Sequence, residues 1–100
     1  GTNPEELLAA AHAGCFTMQL SHLLAENGTP ATDLDTKCIV SVEPKDGGGF
    51  EITRSALTLT AVVEDIEKDD FDAIADKAKT GCPMSVALGA IDITLGTQLQ

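Results

Sequence analysis

Residues 3–28, NPEELLAAAHAGCFTMQLSHLLAENG, decide how the chain folds. Asn3 is a good helix cap, because its side-chain oxygen can accept hydrogen bonds from first-turn amides, and Pro4 suits the first helical position, where no amide hydrogen is needed. Glu5 and Glu6 favour the positive end of the helix dipole, and Glu6 stands at the capping-box position. A helix is therefore predicted from Pro4 to about Glu26, closed by Asn27-Gly28, where glycine adopts a left-handed backbone at no steric cost. Leu7, Leu8, Ala11, Cys15, Phe16, Met18, Leu20, Leu23 and Leu24 occupy more than one face of it. Such a helix is buried on several sides, so other elements must cover it.

Working outward, Asp35–Glu43 sets Cys38, Val40 and Val42 on one face and Lys37, Ser41 and Glu43 on the other, a half-buried strand interrupted by Ile39. The run from Pro44 to Gly49 is a turn. From Phe50 to Glu64 the alternation changes phase, from Phe50 and Ile52 to Leu57, Leu59, Ala61 and Val63. A bulge near Arg54-Ser55 would restore one buried face, and the two strands would form a hairpin. Asp69 is placed to cap a second helix with Phe71, Ile74, Ala75 and Ala78 inward and Gly81 at its end. Cys82-Pro83 starts a short third helix, and Ile91, Ile93, Leu95 and Leu99 mark a last strand. The reading is a single α+β domain over residues 1–100 in the order α-β-β-α-α-β: a long buried central helix, an antiparallel sheet and two further short helices. Three strands are little cover for so apolar a helix. A second subunit, or residues upstream of Gly1, is expected to supply the missing layer.

The 100 residues include 16 acidic and 6 basic side chains, a net charge of -10. One domain of this size buries roughly 60–65% of its unfolded surface. A field of that sign repels phosphate backbones and anionic lipids, so neither nucleic acid nor a membrane is expected as a partner. Polar residues interrupt the apolar run before the ~18 residues of a membrane span, and no basic segment precedes it. Three cysteines, odd in number and widely spaced, fit a reducing compartment and thiol chemistry better than a disulfide framework, which points to the cytoplasm.

On the residues alone Cys82 is the thiol favoured for reactivity: as the cap before Pro83 its sulfur would face unpaired amides that favour a thiolate, although a cysteine can also cap simply in place of serine. Cys15 lies mid-helix among apolar neighbours, where burial opposes ionisation and an inert core role is the usual one. Gly14 beside it weakens that conclusion. Glycine costs a helix interior about 1 kcal/mol relative to alanine and suits a place where something approaches the backbone closely. His12 shares a helical face with Cys15 and could pair with the thiolate or join it on a metal; bonding to neighbouring backbone or facing solvent is the alternative. His22 is displaced by about 80° around the axis from His12, and no Cys-x-x-Cys is present, so no metal site is expected. Cys38 reads as a small buried hydrophobe. The acidic series Asp65, Glu67, Asp69, Asp70, Asp72 and Asp76 reads as a solvated face.

Two segments carry a family resemblance. TNPEELLAAAHAGCF at Thr2–Phe16 and KAKTGCPMSVAL at Lys77–Leu88, with the elements between them, closely resemble the OsmC/Ohr thiol-dependent hydroperoxide reductases, and the AAHAGC wording favours the OsmC branch. The resemblance spans the chain. It implies an intertwined homodimer whose sheets wrap central cysteine-bearing helices, with active sites at the subunit interface. It also implies that Cys15 is the peroxidatic cysteine, Cys82 the resolving cysteine, and Glu5 a supporting residue that helps to organise an arginine. The implied reaction is attack of the Cys15 thiolate on a peroxide O–O bond, release of an alcohol, and capture of the Cys15 sulfenic acid by Cys82 as a disulfide.

No bound cofactor is implied; the reductant is an external dithiol resembling dihydrolipoamide or a lipoylated protein, and the oxidant an organic or fatty-acid hydroperoxide. Glu5 and Cys15 lie about 15 Å apart along one helix, too far for a glutamate to bridge, so Glu5 is expected to serve a site from the partner subunit. The family's arginine belongs to a β-segment before the TNPEE motif, and its role does not carry over to Arg54, the only arginine here. Residues 1–100 are thus expected to lack the N-terminal strands and to turn over weakly alone. A redox sensor or hydrophobic-ligand binder without turnover is the alternative reading on the same fold.

Overall fold

The computed structural model describes residues 3–100; Thr2, the first residue of the TNPEE motif, lies outside the described residues. The first helix, α1, runs Pro4–Glu26 as predicted, and the Glu6 amide donates to Asn3 Oδ1 at 2.9 Å. At its other end Gly28 has φ 82° and donates to the Ala25 carbonyl, while the Thr29 amide donates to the Leu24 carbonyl. That pair of bonds is the Schellman arrangement, which satisfies carbonyls the helix itself leaves free.

Strand β1 (Ala31–Pro44) and strand β2 (Phe50–Val63) form the expected antiparallel hairpin. Helix α2 (Lys68–Gly81), helix α3 (Pro83–Ala87) and strand β3 (Asp92–Leu99) follow. The sheet order is β1-β2-β3, and β3 joins β2 in parallel, so the sheet is mixed rather than antiparallel throughout. Parallel pairing follows from the intervening segment: α2 and α3 carry the chain back across the sheet before the next strand starts. Thr97 donates to Asp72 Oδ1 at 2.8 Å and ties α2 to β3. Asp72 is therefore not a purely solvated member of the acidic face: Lys68 first, and Thr97 second, hold its carboxyl below the usual carboxylate range.

Three local expectations move. The bulge falls at Thr53, skipped between Ser41↔Arg54 and Val42↔Ile52, one residue before the predicted position. It does not bring Phe50 and Ile52 into the buried row, because nothing described covers that end of the hairpin; they are 72% and 36% exposed. The cap of α2 is Glu67 rather than Asp69, which leaves Asp69 and Asp70 in the first turn, where their charge complements the helix dipole.

The core lies between α1, the inward row of β2 and α2. Phe16, Leu20 and Leu24 of α1 meet Leu57, Leu59, Ala61 and Val63 of β2 and Phe71, Ala75 and Ala78 of α2. Each fully buried large side chain contributes roughly 1.5–3 kcal/mol. Thr17 and Thr36 hydroxyls, 2.6 Å apart, join α1 to β1. Only one face of α1 is buried; Leu7 and Met18 on the others are 61% and 75% exposed. By length and composition α1 passes for a membrane span, against the expectation that polar residues interrupt the run too early; the core row accounts for the apolar residues on one face of it only.

Candidate active site

Cys15 and Cys82, 67 residues apart in sequence, bring their sulfurs to 3.0 Å at the seam between α1 and α3. The α1 spacing sets Cys15 beside, not within, the buried row of His12, Phe16 and Leu20. Cys82 ends α2 and caps α3, the Pro at the next position fixing the turn between the two helices. The two thiols differ in access. Cys82 is fully buried, whereas Cys15 is partly exposed and lines an open apolar groove of about 550 Å³ with Ala10, Ala11, Gly14, Met18, Gln19 and Pro83. A Cβ built on Gly14 meets nothing within 4 Å, so no group among the described residues makes the close approach that the glycine suggested.

Electrostatics separates them in the opposite sense. Burial pushes the Cys15 thiol up, and contact with Cys82 adds to that effect against a weaker opposing contribution from the Met84 amide. Burial also acts on Cys82, but the contact with Cys15 first, and then Ser85 and Met84 close by, outweigh it and bring Cys82 below the ordinary thiol value. The direction agrees with the sequence expectation for Cys82, but the largest favourable contribution is the contact with Cys15 rather than the helix amides, and its sulfur makes no capping bond. No cationic side chain among the described residues acts on Cys15. Arg54 is exposed on β2, paired with Ser41 and Asp92.

His12 is not paired with Cys15. It is fully buried, with Nδ1 2.6 Å from Ser55 Oγ and Nε2 2.8 Å from Ser85 Oγ. Both nitrogens are committed to hydroxyls inside the core, which leaves neither for a thiolate or a metal. Cys38, read as a plain buried hydrophobe, has its sulfur 3.1 Å from Ser55 Oγ. Burial raises its thiol, against a weaker opposing effect of Ser55. Ser55 and Ser85 were not singled out in the sequence; Ser55 interrupts an otherwise apolar inward row with Leu57 and Leu59, which is the signal that was available. Glu5 stands two to three turns from Cys15, beside Asn3, Ala9, Ile39, Val40 and Val42 at the uncovered end of the hairpin.

Burial holds His12 below its ordinary value near 6.5. The unfolded chain then takes up a proton, as pH falls through about 6.5, that the folded chain refuses, so stability is full above that pH and declines below it. The melting temperature is expected to fall between about pH 6.5 and 5.5, with a slope of at most ~1.4 kcal/mol per pH unit from this residue. His12→Gln should flatten that slope in thermal melts; an unchanged slope would assign it to other groups.

Comparison with known proteins places these features in context. Residues 1–96 match the OsmC family, described as OsmC-like protein. The chain is 50% identical over 100 residues to the peroxiredoxin OsmC of Escherichia coli K12, an alignment covering 100% of this chain and 68% of that protein. It is 30% identical over 96 residues to the organic hydroperoxide resistance protein OhrB of Bacillus subtilis 168, across 95% of this chain and 68% of that one. The crystal structure of Bacillus subtilis OhrB superposes with a TM-score of 0.80 at 32% identity, over 98% of this chain and 71% of that chain.

Proposed function

The chain belongs to the OsmC-like family, and from that membership we propose that it is a peroxidase that reduces organic hydroperoxides to alcohols with the Cys15–Cys82 pair. The observation that carries the proposal is the pair itself: two free sulfurs 3.0 Å apart, one reachable from an apolar groove and the other sealed behind it. Access supports Cys15 as the attacking thiol and Cys82 as the resolving one. Cys82 is the more acidic thiol but is shut off from solvent, so a peroxide meets Cys15 first. The Cys15 sulfur attacks the terminal peroxide oxygen, the O–O bond breaks, the alcohol leaves, and Cys15 becomes a sulfenic acid. Cys82 then attacks that sulfur. A disulfide sulfur pair is about 2.05 Å apart, so closure asks for movement of about 1 Å from the present separation.

The groove around Cys15 suits an alkyl or aryl tail, since Ala10, Ala11, Met18 and Pro83 offer it apolar surface. An external dithiol of the dihydrolipoamide type, free or on a lipoylated protein, would attack the disulfide and restore both thiols. Because burial raises the Cys15 thiol, its ionisation calls for a cation from elsewhere in the assembled protein. A homodimer fits this need. It would also cover Leu7, Ile39, Val42 and Phe50, which this chain leaves 61%, 71%, 38% and 72% exposed, and bring Glu5 of one subunit toward the other's Cys15. Three cysteines, odd in number and widely spaced, fit a cytoplasmic setting.

The test is turnover with cumene hydroperoxide and dihydrolipoamide in the assembled protein. The expected result is multiple cycles, faster than with hydrogen peroxide, which cannot use the groove. One disulfide per chain with no further cycle would instead favour a redox sensor on the same fold.

A further inference from the structure

Two bridges cross the seam between α1 and α3. One is the redox pair, with its sulfurs 3.0 Å apart; the other is His12 Nε2 to Ser85 Oγ at 2.8 Å, which the peroxide reaction as described leaves unused. His12 and Cys15 stand three residues apart on α1, and Cys82 and Ser85 three apart at the start of α3. The bridges therefore lie about one turn apart on both helices. The polar bridge needs no contact with either sulfur to act on them. It is joined to Cys82 by the backbone of α3, whose first turn is closed by the Val86 amide donating to the Cys82 carbonyl at 3.1 Å.

A helix of five residues does not hold itself, since isolated helices are marginal below about 12–15 residues, so α3 takes its place from what it touches. It packs on α1 and α2. Val86 is 69% exposed, Met84 is only partly buried, and the one buried residue of α3 is Ser85. The inward anchor of this helix is thus a hydroxyl on a buried imidazole rather than an apolar side chain. The imidazole is fixed in turn. His12 is 0% exposed, and its Nδ1 lies 2.6 Å from Ser55 Oγ on β2, the central strand of the sheet. A neutral imidazole has one N–H and one acceptor nitrogen, and a hydroxyl can serve either, so both bonds form together.

We propose that the His12–Ser85 bond is the pin that sets α3 in register on α1, and that His12 and Ser85 are positioning residues for closure of the Cys15–Cys82 disulfide. In that step the Cys82 sulfur forms a bond to the Cys15 sulfur, the Cys15 S–O bond breaks with its electron pair, and the departing hydroxide takes a proton from solvent to become water. The sulfenic acid is the oxidant, and no further reductant enters. From 3.0 Å the sulfurs have about 1 Å left to travel. With the pin in place α3 is already held at that approach, so the effective concentration of Cys82 at Cys15 is high. Without it α3 samples more positions, and closing the bond costs the entropy of gathering them. Attack on the peroxide does not depend on the pin, because Cys15 belongs to the 23-residue helix α1. The inference rests on the assignment of Cys15 and Cys82 made above.

The experiment reads the pair both at equilibrium and in time, in the assembled protein. Each variant is equilibrated in dithiothreitol redox buffers and its disulfide counted by thiol alkylation and intact mass. Closure is followed after one equivalent of cumene hydroperoxide, with dimedone trapping the sulfenic acid. Ser85→Ala should lower the effective concentration about tenfold, the scale of one buried hydrogen bond. That raises the reduction potential of the pair by about 30 mV and slows closure to match, while Cys15 oxidation stays within about twofold. Ser55→Ala also strips a bond from His12 and should lower the urea midpoint comparably, yet it leaves α3 pinned, so its effective concentration should stay within about twofold of wild type. Ser85→Thr, which keeps the hydroxyl, should do the same. A wild-type potential and closure rate in Ser85→Ala would overturn the pin alone. So would a shift in Ser55→Ala or Ser85→Thr as large as in Ser85→Ala, by showing general loosening or a packing effect. Wild-type protein that never forms the disulfide would overturn the assignment of the pair, and the pin with it.

Discussion

Cys15→Ser is expected to lower hydroperoxide turnover by at least about a thousandfold, measured with cumene hydroperoxide and a dithiol under conditions where the wild type cycles. The reason lies in the element replaced. Sulfur accepts oxygen and passes it on as a sulfenic acid, whereas a serine hydroxyl is barely nucleophilic at neutral pH and has no such oxidation state to enter. The change is small in volume, and Cys15 is only partly buried at the edge of the groove, so the fold should be retained. Cys82 cannot take over. It is the more acidic thiol, but it is fully buried, and nothing in its surroundings opens it to a peroxide. Residual turnover within about tenfold of wild type would mean that acidity rather than access chooses the reacting thiol.

The second large effect is on stability. Phe16→Ala should cost about 3–5 kcal/mol, the range for removing a buried aromatic ring and leaving a cavity. Phe16 is fully enclosed, at the point where α1 meets the inward rows of β2 and α2, so the site has little freedom to collapse. Domains of this size have a total of about 5–15 kcal/mol, so the loss is at least about a fifth of the total. At fixed protein concentration the urea midpoint should fall sharply with the slope of the transition unchanged. A loss below about 1 kcal/mol would show that α1 is held mainly by contacts other than this core.

The architecture was legible because its punctuation is local. Asn3-Pro4 and Asn27-Gly28 mark the two ends of α1, and strict alternation marks β3. What the sequence did not disclose depends on partners far away in the chain. The parallel placement of β3 follows from how α2 and α3 cross the sheet, which no local pattern records. The bulge shifted by one residue because a phase change locates an extra residue only to within its neighbours. The apolarity all round α1 predicted burial on several sides, yet only the Ala9, His12, Phe16, Leu20 and Leu24 row is buried within this chain.

At the site the reading of single residues agrees with the direction of both thiol shifts and is incomplete about partners. Cys82 does gain acidity where a helix begins, and Cys15 does lose it by burial. That the two sulfurs meet was implied by the family resemblance and not by spacing. His12 was seen as a possible companion of Cys15 because the two are a helical turn apart. The fold instead turns its ring inward, onto Ser55 of β2 and Ser85 of α3, 43 and 73 residues away. Serines are common enough that neither stood out, and only the inward parity of Ser55 between apolar neighbours hinted at a buried partner.

Acidity points to one sulfur as the first to react and access points to the other, so the decisive question is which of them takes the peroxide oxygen. Peptide mapping after one equivalent of cumene hydroperoxide, with dimedone as the trap, answers it in the two single variants. The account predicts that Cys82→Ser carries the adduct on Cys15 and that Cys15→Ser carries none. An adduct on Cys82 in Cys15→Ser, with Cys15 unmodified in Cys82→Ser, would contradict it.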